Sequence, residues 1–350
     1  MRILVIGVNI RHIACSARRA GHEVFAVDCY CDLDLERCAE ETARLPREGA
    51  EESISGFVEK FHPEAIVLGP GLEEAHVKGV PVLNNPPEKT SQVSDKLWLA
   101  SWLEKSGFPF IKTYASAEDL DFPILVKPRK GAGGVGCRRV DDPSDLLWEE
   151  GLIAQELISG KAASVSVIGN GHEARALAVN EQLIGASWAG AKGFRYSGNI
   201  TPLDPPQCNV AEMAEEIIAR LGLVGSNGVD FLLTEKGPVV VEVNCRFQGS
   251  LDTVESATGQ SVFQAHIQSF GGRLPRRVPP SCFAGRAIIY ASRDSVLNAL
   301  QRPWTSDVPR PGSRIAKDDP ILSIQASGPD RDQVFALLKK RAAALIAMIE

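Results

Sequence analysis

Two short segments constrain this chain more than any other feature. Val229-Asp230-Phe231-Leu232-Leu233-Thr234 and Val239-Val240-Val241-Glu242-Val243-Asn244 flank Glu235-Lys236-Gly237-Pro238. Apolar, β-branched runs on either side of a turn predict a β-hairpin over 228–244. Side chains alternate along a strand, which puts Glu242 and Asn244 on one face. A tight turn between Lys236 and Gly237 sets Asp230 opposite Val243 or Asn244. In the even register Asp230 joins Glu242 and Asn244, with Leu232 and Val240 on the same face and Phe231, Leu233, Val241 and Val243 on the other. Two carboxylates among apolar neighbours are costly unless a cation compensates them. Two carboxylates and an amide are the hard oxygen donors Mg²⁺ accepts when phosphate and water complete its shell.

A second segment supplies the phosphate side. Val126-Lys127-Pro128-Arg129-Lys130 runs into Gly131-Ala132-Gly133-Gly134-Val135-Gly136. Four glycines in six positions let backbone N–H groups turn towards one anion, and lysines beside them add point charge. No Gly-Lys-Ser/Thr follows, so this is not a Walker A loop.

Around these segments the chain divides in three. Residues 1–86 alternate strand and helix signals: Arg2–Gly7, Arg11–Ala20, His22–Val27, Glu52–Phe61 and Ala65–Leu68, which predict a parallel α/β unit. Asp28, about 20 residues past the first turn, invites a dinucleotide site. The turn Gly7-Val8-Asn9-Ile10-Arg11-His12 has one glycine where that fingerprint needs three, so NAD is not expected. Asn84-Asn85-Pro86-Pro87 marks a boundary. Residues 87–275 begin with an amphipathic helix over 91–106 and contain strands over 122–127, 152–157 and 164–169. A helix over 209–221 is expected to take Asn209 as its N-cap. Residues 281–350 hold short strands and a last helix whose Val334, Leu337, Leu338, Leu345, Met348 and Ile349 share a face.

The net charge of −6 announces no nucleic-acid partner. No apolar run reaches the ~18 residues of a membrane span. Eight cysteines without a secretory signal are expected to be reduced thiols, Cys29, Cys31 and Cys38 included, and the expected location is cytoplasmic. The six histidines show no ligand spacing, so no transition-metal site is expected.

Asp95-Lys96, the Lys127 strand with its glycine loop, Ala154-Gln155-Glu156-Leu157-Ile158-Ser159-Gly160, Gly228–Phe231 and Val241–Phe247 follow one another in that order. This succession resembles the ATP-grasp superfamily, in its carboxylate–amine ligase and biotin-carboxylase-like branch. The resemblance implies an α/β and α+β fold. Its parts are a Rossmann-like pre-ATP-grasp domain (1–86), an ATP-grasp domain (87–275, with a glycine-loop subdomain about 112–160 and a metal-binding subdomain about 161–275) and a small β-rich C-terminal domain (281–350). By position it implies that Lys96, Lys127 and Lys130 meet ATP phosphates under a loop containing Gly131, Gly133, Gly134 and Gly136. Gln155, Glu156 and Leu157 would meet adenine. Asp230, Glu242 and Asn244 match the Mg²⁺ positions, and Arg246, with Lys127, faces the reacting group. One departure is Ala162, where many members carry a ribose-binding glutamate.

Arg195 and Tyr196, in the loop 192–199, are substrate candidates, as are Arg11, Ser250 and Glu255. The implied activity is ATP- and Mg²⁺-dependent phosphorylation of a small carboxylate, followed by coupling to an amine. A bicarbonate-activating carboxylase and a non-catalytic nucleotide-binding protein are the alternatives. The expected partners are small-molecule carboxylate and amine substrates, without nucleic acid or membrane, and the resemblance allows a homodimer.

Overall fold

The computed structural model describes residues 1–205 and 208–349. Arg2–Ile6, Glu23–Asp28, Glu41–Arg44 and Ala65–Leu68 form a parallel sheet, with Arg2–Ile6 between Glu23–Asp28 and Ala65–Leu68 and with Glu41–Arg44 at the edge. Ile3, Leu4, Val5 and Ile6 are fully buried, as expected of a parallel strand covered on both faces. Its core is shared with Phe247, Leu251, Val254 and Phe263, so this unit is packed onto the rest of the chain.

The centre is an antiparallel sheet of eight strands among the described residues. In spatial order they are Gly237–Asn244, Val224–Thr234, Lys161–Asn170, Ala174–Ile184, Tyr196–Thr201, Phe283–Tyr290, Pro320–Gly328 and Thr305–Ser306. The C-terminal strands therefore continue the sheet, through the pairing of Tyr196–Thr201 with Phe283–Tyr290. Helices Lys96–Ser106 and Cys208–Arg220 pack on one face around Phe231, Val240 and Val243. The last helix, Arg331–Ile349, covers the C-terminal strands. A separate four-stranded sheet of Thr113–Tyr114, Leu152–Glu156, Ile124–Pro128 and Arg138–Val140 has its own small core. Among the described residues no helix is long and apolar enough to cross a membrane.

Several local expectations are corrected. The helix over 91–106 is two helices, Pro87–Ser94 and Lys96–Ser106, because extended Asp95 accepts from the Leu97 and Trp98 amides and restarts the helix. Asn209 lies inside the helix Cys208–Arg220 rather than capping it. In the last helix Val334, Leu338 and Leu345 are buried, whereas Met348 faces outward; Glu350 lies outside the described residues. Not all thiols are free: Cys15 and Cys38 form a disulfide across 23 residues. Cys38 packs into the core that the helix Arg11–Arg19 shares with Val24 and Ala26, a proximity invisible in the Cys29/Cys31/Cys38 spacing. Cys29 and Cys31 remain unpaired.

Candidate active site

The hairpin forms between Val224–Thr234 and Gly237–Asn244, in a register different from both expected ones. Asp230 pairs with Glu242 and Phe231 with Val240, leaving Val241 as a bulge. The extra residue reverses the alternation beyond it. Val240 therefore turns into the core with Phe231, and Val241 lines the cavity beside Glu242.

That cavity, of about 900 Å³, lies between the hairpin, the glycine loop, the hinge 155–160 and the N-terminal unit. Asn244 Nδ2 donates to Asp230 Oδ2 at 3.4 Å and to Glu242 Oε1 at 3.3 Å. Asp230 Oδ1 is buried without a partner. Burial and the facing Glu242 raise the Asp230 carboxyl well above the usual carboxylate range. Glu242 is held below that range: burial opposes the shift, but Lys96, Lys127 and Arg246 outweigh it. An orphaned carboxylate oxygen, a facing carboxylate and an amide nitrogen standing where a cation would stand fit a hard divalent ion. Among the described residues there is no group of three His, Cys, Asp or Glu side chains that could hold a metal; a shell built on two carboxylates and one amide would be completed by phosphate and water.

Lys96 donates to the Gly131 carbonyl at 2.8 Å and stands 3.8 Å from Glu242 Oε2. Lys127 is buried at the end of its strand. Burial pushes its ammonium below the usual lysine range, Glu242 resists, and Lys96 adds to the shift. Gly131, Gly133, Gly134 and Gly136 all have positive φ. Gly134 meets the chain so closely that a Cβ would overlap the Phe194 carbonyl, and Tyr196 N donates to Gly133 O at 3.1 Å. The loop is thus docked on the 192–196 segment. Lys130 turns aside to Glu74 and Ser91 and does not line the cavity.

Gln155, Glu156 and Leu157 all line the cavity. Gln155 Nε2 donates to Thr113 Oγ1, and its Oε1 is buried without a partner. Arg246 bridges Asn244 Oδ1 at 3.0 Å and Glu73 at 2.7 Å. Tyr196 and Ser250 line the cavity, Ser250 bonded to Ser166. Arg195 does not; it donates to the Asp318 carbonyl and lies over the Tyr290 ring. Arg11 is buried among Asp252, Asp307 and Asp34, and Glu255 is engaged by Ser16 and Arg19. Neither lines the cavity. Ala162 does, with no acid in its place.

Sequence reasoning missed Arg286, His12, Asp32 and Asp307, all cavity-lining and all buried. Arg286 donates to Asp307 Oδ2 at 2.6 Å and to the Gly249 carbonyl at 3.0 Å. The lone charge in Phe-Ala-Gly-Arg-Ala-Ile-Ile-Tyr was the available signal for it. Of the other three, His12 lies in the helix Arg11–Arg19, and Asp32 and Asp307 lie outside helices and strands, far apart in sequence.

Comparison with known proteins agrees with this geometry. Residues 93–250 match the family model of an ATP-grasp domain. An uncharacterized protein of Methanocaldococcus jannaschii is 27% identical over 354 residues, which covers 93% of this chain and 88% of that one. A D-alanine–D-alanine ligase of Pediococcus pentosaceus is 27% identical over 139 residues, 35% of this chain and 38% of the ligase. The crystal structure of a biotin carboxylase–β-γ-ATP complex from Campylobacter jejuni superposes with a TM-score of 0.78 at 16% identity, over 100% of this chain and 91% of that one. The motif order, the docked glycine loop and the paired strands carrying Asp230 and Glu242 lie in the stretch that the family model matches, so residues 93–250 are an ATP-grasp domain.

Proposed function

We propose that the protein is an ADP-forming ligase that uses ATP and Mg²⁺ to phosphorylate a small-molecule carboxylate and couples the acyl phosphate to an amine. The observation that carries this reading is one cavity holding both parts of a phosphoryl-transfer site. Lys96, Lys127 and the glycine loop line it together with Asp230, Glu242 and Asn244, with Lys96 3.8 Å from Glu242 Oε2. Similarity to a D-alanine–D-alanine ligase supports it.

A carboxylate is a poor acyl donor because its leaving group would be oxide; phosphorylation supplies a good one. Lys96 and Lys127 neutralise charge on the transferred phosphoryl group, and loop N–H groups add donors. Asp230, Glu242 and Asn244 would hold Mg²⁺, which when bound offsets phosphate charge and orients the triphosphate. Gln155 Oε1, Glu156 and the Leu157 backbone are placed to receive the base. Arg246, already fixed by Asn244 and Glu73, faces the reacting carboxyl, and Arg286 lies farther along the same wall. The docked glycine loop shields the acyl phosphate from water.

Hydroxylamine traps acyl phosphates as hydroxamates. ADP release with hydroxamate formation from at least one member of a broad carboxylate panel is expected; ADP without hydroxamate across the whole panel refutes the reading.

A further inference from the structure

The cavity extends past the metal-type triad to a wall built by the N-terminal unit, lined by Asn9, His12, Tyr30 and Asp32 and faced by Asp307. Two side chains there are unusual. Asp32 is 4% exposed, and among the described residues no hydrogen bond or ion pair reaches its carboxylate. His12 is 5% exposed, and neither ring nitrogen has a partner. Buried polar groups without partners are rare, and two at one cavity wall point to a missing ligand.

Of the neighbouring charges, Asp307, Arg11 and Asp34 are satisfied within the protein, whereas Asp28 keeps one buried oxygen, Oδ2, without a partner. Asp307 takes Arg11 at 3.0 Å and Arg286 at 2.6 Å. Arg11 also binds Asp252 at 2.6 Å. Asp34 accepts from the Asp307 and Val308 amides. What remains on this wall is the Asp32 carboxyl and the unpartnered His12 ring, with Tyr30 lining the same cavity. The segment carrying Asp32 is held in place: Leu33 N donates to Val308 O at 2.9 Å, and Cys38 is tied to Cys15. A rigid, largely buried acid that no protein cation hydrogen-bonds, and that ionises readily only when a counter-charge arrives, suits a ligand that brings its own positive charge.

We propose that this wall binds the acceptor substrate as an organic ammonium, with Asp32 as its counter-ion, His12 as a second acceptor and Tyr30 offering a cation–π face. The assignment rests on the ligase reading for the word acceptor, and it deepens it: the acceptor binds as an ammonium ion and gives one proton to the Asp32 carboxylate before its nitrogen lone pair attacks the acyl phosphate and displaces phosphate. Burial keeps His12 neutral, with Arg11 and Arg286 adding to its reluctance to gain a proton, so one ring nitrogen is free to accept an N–H.

The test is titration calorimetry of the full chain with benzylammonium chloride, and with benzyl alcohol as the uncharged control. Benzylammonium is expected to bind at least about tenfold more tightly than the alcohol, and Asp32→Asn to lose about tenfold or more while MgATP affinity stays unchanged. Tyr30→Ala is expected to lose about threefold. Equal binding of amine and alcohol, no binding of the amine at about 10 mM, or an undiminished Asp32→Asn overturns the proposal. The amine–alcohol comparison needs no variant, so the proposal stays refutable even where Asp32→Asn does not fold. Binding also needs no turnover. An ammonium response without hydroxamate formation supports this site while overturning the ligase reading, and the converse overturns this site alone.

Discussion

Asp230 and Glu242 face each other directly across the hairpin, and the Asn244 amide donates to both carboxylates. Without a cation, this pair is a cost that Asp230 reduces by holding a proton; with one, it is a grip. Asp230→Asn is therefore expected to do two opposite things. In chelator the variant melts at or above the wild-type temperature, because a buried like-charge contact has been removed. With Mg²⁺ and ATP it loses about 100-fold or more in turnover, together with the Mg²⁺-induced rise in melting temperature. Thermal melts with and without Mg²⁺, read beside ADP release, check both halves.

The glycine loop offers a matched pair of substitutions. At Gly134, with φ of 74°, a side chain meets the Phe194 carbonyl; at Gly133, with φ of 67°, it meets open space. Gly133→Ala is expected to cost only backbone strain, about 1 kcal/mol. Gly134→Ala also lifts the loop from the 192–196 segment. Its signature is a shift of ATP use from hydroxamate towards hydrolysis, by about tenfold, as water enters. Equal partitioning in the two variants would show that the Gly134 contact does not seal the site.

Much of this site was legible because it is local. The Gly131–Gly136 loop, Lys127 and the Asp230/Glu242/Asn244 set each lie within one loop or one hairpin. What escaped was register and long-range convergence. A single bulged residue, Val241, exchanged the facings expected for Val240 and Val241, and alternation cannot forecast a bulge. His12, Asp32, Arg286 and Asp307 meet only through packing of the N-terminal unit against the end of the central sheet. No spacing rule connects positions separated by up to 295 residues, counted from His12 to Asp307. Arg195 and Arg11 looked functional because charged residues in turns often are, and Glu255 because it follows Arg246, yet each is occupied in holding segments together.

Arg11 illustrates the structural role. Its guanidinium reaches Asp252 on helix Leu251–Thr258 and Asp307 after strand Thr305–Ser306, so three distant segments share one buried cation. Arg11→Met leaves Asp252 without its ion pair and Asp307 with Arg286 alone, and is expected to cost about 3–5 kcal/mol. Denaturant titration checks this. A substrate-binding arginine would instead raise a KM with little change in the melt.

The Asp32 carboxyl gives a pH signature of its own. Burial, then the charges of Asp307, Asp28 and Asp34, push it up to about 8 from an ordinary value of 3.8, while Arg11 opposes. A folded-state pKa above the unfolded one means that the native protein holds more protons than the unfolded chain between those two values. Stability from this group therefore falls as pH rises from about 4 to about 8 and is flat above. His12 runs the other way, because its pKa is lowered from 6.5 to about 3, and its contribution rises with pH only below 6.5. Between pH 6.5 and 8 Asp32 acts without that opposition. The melting temperature of Asp32→Asn relative to wild type is thus expected to climb across this window, as the wild type alone must ionise a buried acid. Saturating benzylammonium should flatten the climb by supplying the counter-charge. A difference between the two proteins that stays constant from pH 6.5 to 8 would show that Asp32 is already ionised and compensated in the folded chain.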